Sequence, residues 1–96
     1  MMNQLCVIGR ITNNDKNKNI ITLAVQRATK NSEGIYETDF IPCQLSKGIA
    51  ENGFEYCQVG DLVGVKGKLE NNKENGLQVM AEKVTFLSSR KGKEEE

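Results

Sequence analysis

Five segments of this chain read as strands, one a compact apolar run and four alternating apolar and polar residues with a period of two, and the pattern is interrupted once by a helical period. Leu5–Thr12 (LCVIGRIT) is a compact apolar run containing β-branched residues, and Gly9 within it predicts a bulge or bend. Ile20–Thr29 places Ile21, Leu23 and Val25 on one face and Thr22, Ala24 and Gln26 on the other. In Ile35–Leu45, residues Ile35, Ile41, Cys43 and Leu45 share one parity, whereas Tyr36, Thr38, Phe40 and Gln44 share the other. Pro42 lacks a ladder donor and so predicts an edge or a bulge. Leu62–Glu70 sets Val63, Val65 and Leu69 against Gly64, Lys66 and Lys68. Leu77–Leu87 points Val79 and Ala81 inward, but Val84 and Phe86 have the opposite parity, which predicts a bulge near Lys83.

The polar runs NNDKNKN, KNSEG and NNKENG are the turns between these strands, and the Asn-Gly of the last one marks a hairpin. Between the third and fourth strands, Ala50, Gly53, Phe54 and Cys57 fall at i, i+3, i+4 and i+7, the stripe of a short amphipathic helix. Ser46 is its expected N-cap, and Gly60 follows its end. Gly48 and Gly53 weaken the helix by propensity, so its formation depends on packing. The expected fold is all-β with one short helix: three strands, a helix, then two strands. A five-stranded Greek-key barrel of the oligonucleotide-binding (OB) type has this order and is one candidate among small barrels. Phe54 and Phe86 are expected in the core.

With 96 residues the chain holds one domain, taken as residues 1–88, followed by a charged tail at 89–96 that is expected to be disordered. No run approaches the ~18–20 apolar residues of a membrane span, and no signal peptide opens the chain. A cytoplasmic protein with no membrane partner is expected. Histidine is absent, and no P-loop, metal-ligand spacing or paired-carboxylate motif occurs, so no cofactor, metal or enzymatic activity is expected. Cys6, Cys43 and Cys57 have no C-x-x-C spacing and are expected to be reduced, buried small side chains.

The net charge is zero, from 13 basic and 13 acidic side chains, yet the charge is segregated along the chain. Residues 1–30 carry +4, residues 31–61 carry −5, residues 62–93 carry +4, and Glu94–Glu96 carry −3. A basic face is therefore compatible with a near-neutral pI.

Six fragments in order resemble the bacterial and phage single-stranded DNA-binding protein family, from about Asn3 to Leu87. NQLCVIGRIT is similar to the family's opening strand, TLAVQR to T-L-A-V-N-R, and DFIPC to D-F-I-N-C. Ala50–Asn52 and Tyr56 keep the A-E-N and Tyr of its helix. GDLVGVKGKL resembles G-S-L-V-x-V-x-G-R-L, and VMAEKVTFL resembles V-V-A-D-S-V-Q-F-L. The resemblance implies the OB barrel, homo-oligomers that are mostly tetramers with a dimer as the alternative, and binding of single-stranded DNA without sequence preference. Replication, recombination or repair is the implied setting, with proteins of those processes as further partners. Family members also carry a long segment ending in an acidic, apolar tip, whereas KGKEEE has no terminal Pro or Phe.

Carried over by position, Phe40 matches the stacking aromatic that the family retains best. The other stacking positions fall near Thr29, at Ser46 and around Asn72, all polar here, which implies weaker binding; Tyr36, on the parity of Phe40, compensates in part. Lys30 and Lys47 flank the inferred path, and Lys68 and Lys73 supply phosphate contacts from the last hairpin. Arg10 and Arg27 occupy family-matched strand positions, each with a structural ion pair to Asp39 or Glu37 as the alternative. The rival function is that of a primosome-type replication-restart accessory protein, working through protein contacts with weak single-strand binding.

Overall fold

A computed structural model describes residues 1–50, 58–74 and 76–88. Five strands are present: β1 (Leu5–Asp15), β2 (Ile20–Lys30), β3 (Tyr36–Leu45), β4 (Leu62–Asn72) and β5 (Gly76–Ser88). They close into a barrel in the order β1-β2-β3-β5-β4. All neighbouring pairs are antiparallel except β3–β5, a parallel ladder of three pairs from Cys43↔Val79 to Leu45↔Ala81. Residues 47–50 are helical. Ser46 caps them as expected: its carbonyl accepts from the Ala50 amide at 2.8 Å, and its Oγ accepts from the Ile49 amide at 3.4 Å. The expected core position of Phe54, the thiol of Cys57 and the tail at 89–96 lie outside the described residues.

The inward parity of each strand builds the core from Ile11, Ile21, Leu23, Cys43, Leu45, Val63, Val65, Val79 and Ala81, with Ala50 from the helical turn. Burial pushes the Cys43 thiol up to about 12. β1 and β2 run further than their apolar residues do. Asp15 pairs with Ile20, and its Oδ1 accepts from the amides of Asn17 and Lys18, so a side chain closes the turn and the ladder continues through polar sequence. Asn31 does the same for β2–β3, its Oδ1 accepting from the amides of Glu33 and Ile35.

The predicted bulge in β5 lies at Glu82, between the pairs Gly67↔Ala81 and Lys66↔Lys83, and it turns Val84 inward. Gly9 is not a bulge. The register of β1 shifts between Ile11 and Asn13 instead. Gly9 lies where β1 passes from its ladder with β4, which ends at Arg10↔Leu62, to its ladder with β2, which begins at Arg10↔Ala24. A Cβ there would stand 2.6 Å from the Ala24 carbonyl oxygen. Pro42 directly precedes the β3–β5 ladder, so the N-terminal part of β3 has no partner on that side, the edge that Pro42 predicts.

Two expectations are corrected, for Phe86 and Cys6, and Leu69 departs from the burial of its strand neighbours. Phe86 is 47% exposed rather than core, because the β3–β5 ladder ends at Ala81 and β5 continues past it. Leu69 keeps the inward parity but is exposed: the β1–β4 ladder stops at Leu5↔Gly67, and β4 projects beyond the barrel in a hairpin with β5. Cys6 is exposed on β1, whereas Cys43 is buried.

Gly67 faces the β5 bulge so closely that a Cβ would collide with the Met80 carbonyl oxygen and stand 2.9 Å from its carbon. Gly64 on the same strand has nothing nearer than 3.7 Å. Gly67→Ala should therefore cost about 1–3 kcal/mol by overpacking, or roughly 4–8 °C of Tm per kcal/mol, while Gly64→Ala leaves the melting temperature unchanged or slightly raised. Thermal denaturation followed by circular dichroism checks both.

Candidate nucleic-acid interface

One cross-strand row on the outside of the barrel consists of Arg10, Ala24 and Phe40 on β1, β2 and β3. The alternation that drives Leu23, Ile41 and Cys43 toward the core turns Phe40 outward, and the small Ala24 beside it leaves the ring 65% exposed. Tyr36 is also exposed, at the start of β3. The Lys30 ammonium stands 5.5 Å from the Tyr36 ring centroid, a cation–π contact that covers one face of the ring. The β2–β3 arm thus presents Phe40 as an open aromatic surface and Tyr36 as a partly capped one.

The arginines are engaged within the protein. Arg27 forms a fork with Asp39, Nε to Oδ2 and Nη2 to Oδ1, both at 2.9 Å, and its Nη1 lies 2.8 Å from Glu37 Oε2. Asn31 Nδ2 donates to the other Glu37 oxygen at 2.9 Å. The structural alternative for Arg27 is realised with both acids at once, and one positive charge is set against two negative ones. The hydrogen bond and charge of Asp39 raise the Arg27 pKa, and the hydrogen bond from Arg27 holds the Asp39 carboxyl below its ordinary value. Arg10 Nη1 donates to the Gly60 carbonyl at 2.9 Å, tying β1 to the turn before β4.

Lys47 is exposed at the start of the helical turn, past the end of β3. Lys68 and Lys73 are exposed on the β4–β5 hairpin, with Lys68 Nζ 3.5 Å from Glu70 Oε2. That hairpin and β3 form the two sides of an open groove of about 430 Å³, whose lining includes Phe40, Ile41, Leu69 and Leu77. Phe40, Tyr36, Lys30 and Arg27 therefore share the β2–β3 arm. Lys68 and Lys73 lie on the hairpin across the groove, and Lys47 stands apart at the end of β3. The groove walls Leu69 and Leu77 are missed by sequence reasoning; two leucines flanking an Asn-Gly loop beyond the last core pair are the only signal for them.

The strand order and the outward aromatic define the class: an OB barrel with an aromatic-bearing sheet face flanked by lysines. Solved structures agree on the fold. A small single-stranded DNA-binding protein from Streptomyces coelicolor superposes with a TM-score of 0.70 at 20% identity, covering 91% of this chain and 96% of that one. A Plasmodium falciparum SSB solved in complex with ssDNA superposes with a TM-score of 0.71 at 15% identity, covering 92% and 96%. Single-stranded DNA-binding protein B of Bacillus subtilis is 35% identical, over 91% of each chain. Single-stranded DNA-binding protein 1 of Clostridium acetobutylicum is 36% identical, over 94% of this chain and 97% of its own. The profile of the Single-strand binding protein family matches residues 2–87. The chain belongs to that family.

The depressed Asp39 pKa gives a signed expectation. Its stabilising contribution is present above the ordinary carboxylate range and is lost as pH falls through the lower folded-state value. NMR titration should find Asp39 below that range, and Arg27→Ala should return its midpoint upward.

Proposed function

We propose that the protein binds single-stranded DNA without enzymatic activity, by stacking a base on Phe40 and passing the phosphates along exposed lysines. The carrying observation is the Phe40 ring, open to solvent on a barrel face that has no apolar cover among the described residues. A base laid on such a ring contributes roughly 1–3 kcal/mol whatever its identity. Tyr36 with Lys30 extends the platform, and Lys47, Lys68 and Lys73 supply charge. Arg10 and Arg27 are assigned to holding the arm and β1 in place, with Arg27 able to reach phosphate only by leaving its carboxylates. Replication, recombination or repair in the cytoplasm is the setting this reading implies, and relatives named as single-stranded DNA-binding proteins support it.

Self-association belongs to the same proposal. Ile8 is 59% exposed on the outside of β1, and Leu87 on β5 is exposed as well. Both flank the position of a Gly64 Cβ, at 3.7 and 3.8 Å, so these apolar side chains adjoin one another there. A second copy of this chain is the proposed cover, with a tetramer favoured over a dimer. The acidic pair around Arg27 is the observation that favours the rival reading, a restart accessory protein with weak single-strand binding, because it removes positive charge from the arm.

Fluorescence titration with labelled oligo-dT at several salt concentrations tests the reading. Phe40→Ala should weaken binding roughly 5- to 100-fold. Asp39→Asn combined with Glu37→Gln, by removing both carboxylates that hold Arg27, should tighten binding at low salt and steepen the salt dependence by about 0.7 in log–log slope. Absence of binding at low salt rejects the proposal. Light scattering should report an oligomer for the native chain and a smaller species for Ile8→Glu.

A further inference from the structure

Beyond Phe40 the outward parity of β3 continues through Pro42 to Gln44, and Ala24, Thr22 and Ile20 lie opposite on β2. This lane carries no charged side chain, and its two ends stand about 13 Å apart at ~3.3 Å per strand residue. At the far end Gln44 grips the turn between β1 and β2. Its Nε2 donates to the Lys18 carbonyl at 2.8 Å and to the Asn19 carbonyl at 3.3 Å. The Leu45 amide donates to the same Asn19 oxygen at 2.7 Å. Within the turn, Asn19 holds a left-handed φ of 57°, and Asp15 Oδ1 accepts from the Asn17 and Lys18 amides. A wholly polar surface turn is thus fixed to a neighbouring strand rather than left to solvent. It displays Lys16 and Lys18, both exposed, and Lys47 is exposed two residues past Leu45. None of these three ammonium groups pairs with a carboxylate among the described residues. Asp15 is the one acid of the turn, so three positive charges stand against one negative.

We propose that Lys16, Lys18 and Lys47 form a further phosphate-binding site for the strand stacked on Phe40, with Gln44 as the positioning residue that holds their turn. The inference rests on the single-strand reading above and extends the strand's path along the outside of β3. Three features converge on a polyanion as the occupant. Like charges gathered without counter-charges repel one another, and phosphates relieve that repulsion while releasing counterions. The clamp fixes the turn before anything binds, so little ordering remains to oppose association. The lane from Phe40 offers a small, uncharged floor, and its ~13 Å is short against the roughly 4–16 nucleotides that one OB fold engages. One strand therefore reaches both the ring and the lysines. Solubility alone would account for lysines in a turn, but not for a side chain from β3 holding that turn in place.

Titration of oligo-dT of about 15 nucleotides across a salt series tests both parts. Lys16→Gln combined with Lys18→Gln should lower the log–log salt slope by about 1.4, two phosphate contacts at ~0.7 each. Lys66→Gln combined with Lys83→Gln removes the same charge from a directly opposed pair on β4 and β5, off the lane, and should leave the slope as it is. Gln44→Met should weaken binding about two- to tenfold through loss of the clamp's hydrogen bonds, and should add nothing once Lys16 and Lys18 are replaced. A slope unchanged by the turn variant, or lowered equally by the control pair, would overturn the site; continued weakening by Phe40→Ala would then leave single-strand binding intact. An effect of Gln44→Met that persists undiminished without the two lysines would overturn its positioning role. Failure of the native protein to bind at low salt would overturn both readings.

Discussion

β1 closes the barrel by serving two neighbours in turn. Its first half pairs with β4 and its second half with β2, and Arg10 has a partner on each side. The strand can do this only if its backbone comes close to β2 at the changeover, where Gly9 leaves no room for a side chain against Ala24. The rest of the architecture follows from that closure. With β1 joining both ends of the sheet, β3 and β5 need only three residue pairs between them. The remainder of β3 is free to form an arm with β2, and the hairpin of β4 and β5 projects from the same end of the barrel.

Those two projections carry the chemistry. Beyond the barrel, the inward parity no longer meets a core, so residues with that parity become groove walls or ion pairs. Leu69 is a wall; Arg27, Glu37 and Asp39 form a charged knot on the arm. The outward parity carries Phe40. Segregated charge along the sequence thus translates into local neutralisation, because the basic second strand lies directly against the acidic third one.

Much of this was legible in the residues. A compact apolar run located β1 and the period of two the other four strands, the parity change between Ala81 and Val84 located a bulge within one residue of Glu82, and Ser46 announced its cap. Phe40 stood out because it shared a parity with Thr38 and Gln44. Alternation, however, reports which face a side chain occupies and not where the opposing sheet ends. Parity therefore places Leu69 with Val63 and Val65 although the core stops short of it, Phe86 is expected in a core that does not reach it, and Cys6 in an interior that β1 turns it away from. Nor could spacing show that Arg27 meets two carboxylates at once, since that depends on the pairing register Val25↔Asp39 and Gln26↔Thr38, which sets Arg27 beside Glu37 and Asp39 together. The burial of the glutamine at Gln78 had no signal at all in a strand whose charged positions, Glu82 and Lys83, are solvated.

Among the interior residues, Cys43 has a consequence for the protein's chemical durability. With its pKa pushed to about 12, the sulfur stays a neutral thiol throughout the physiological range. Oxidants and electrophiles act on thiolates, so a burst of peroxide leaves this position unmodified. Cys6, on the outer surface, is open to such reagents instead. Damage of that kind would mark the exterior of the barrel without loosening the packing that holds it shut.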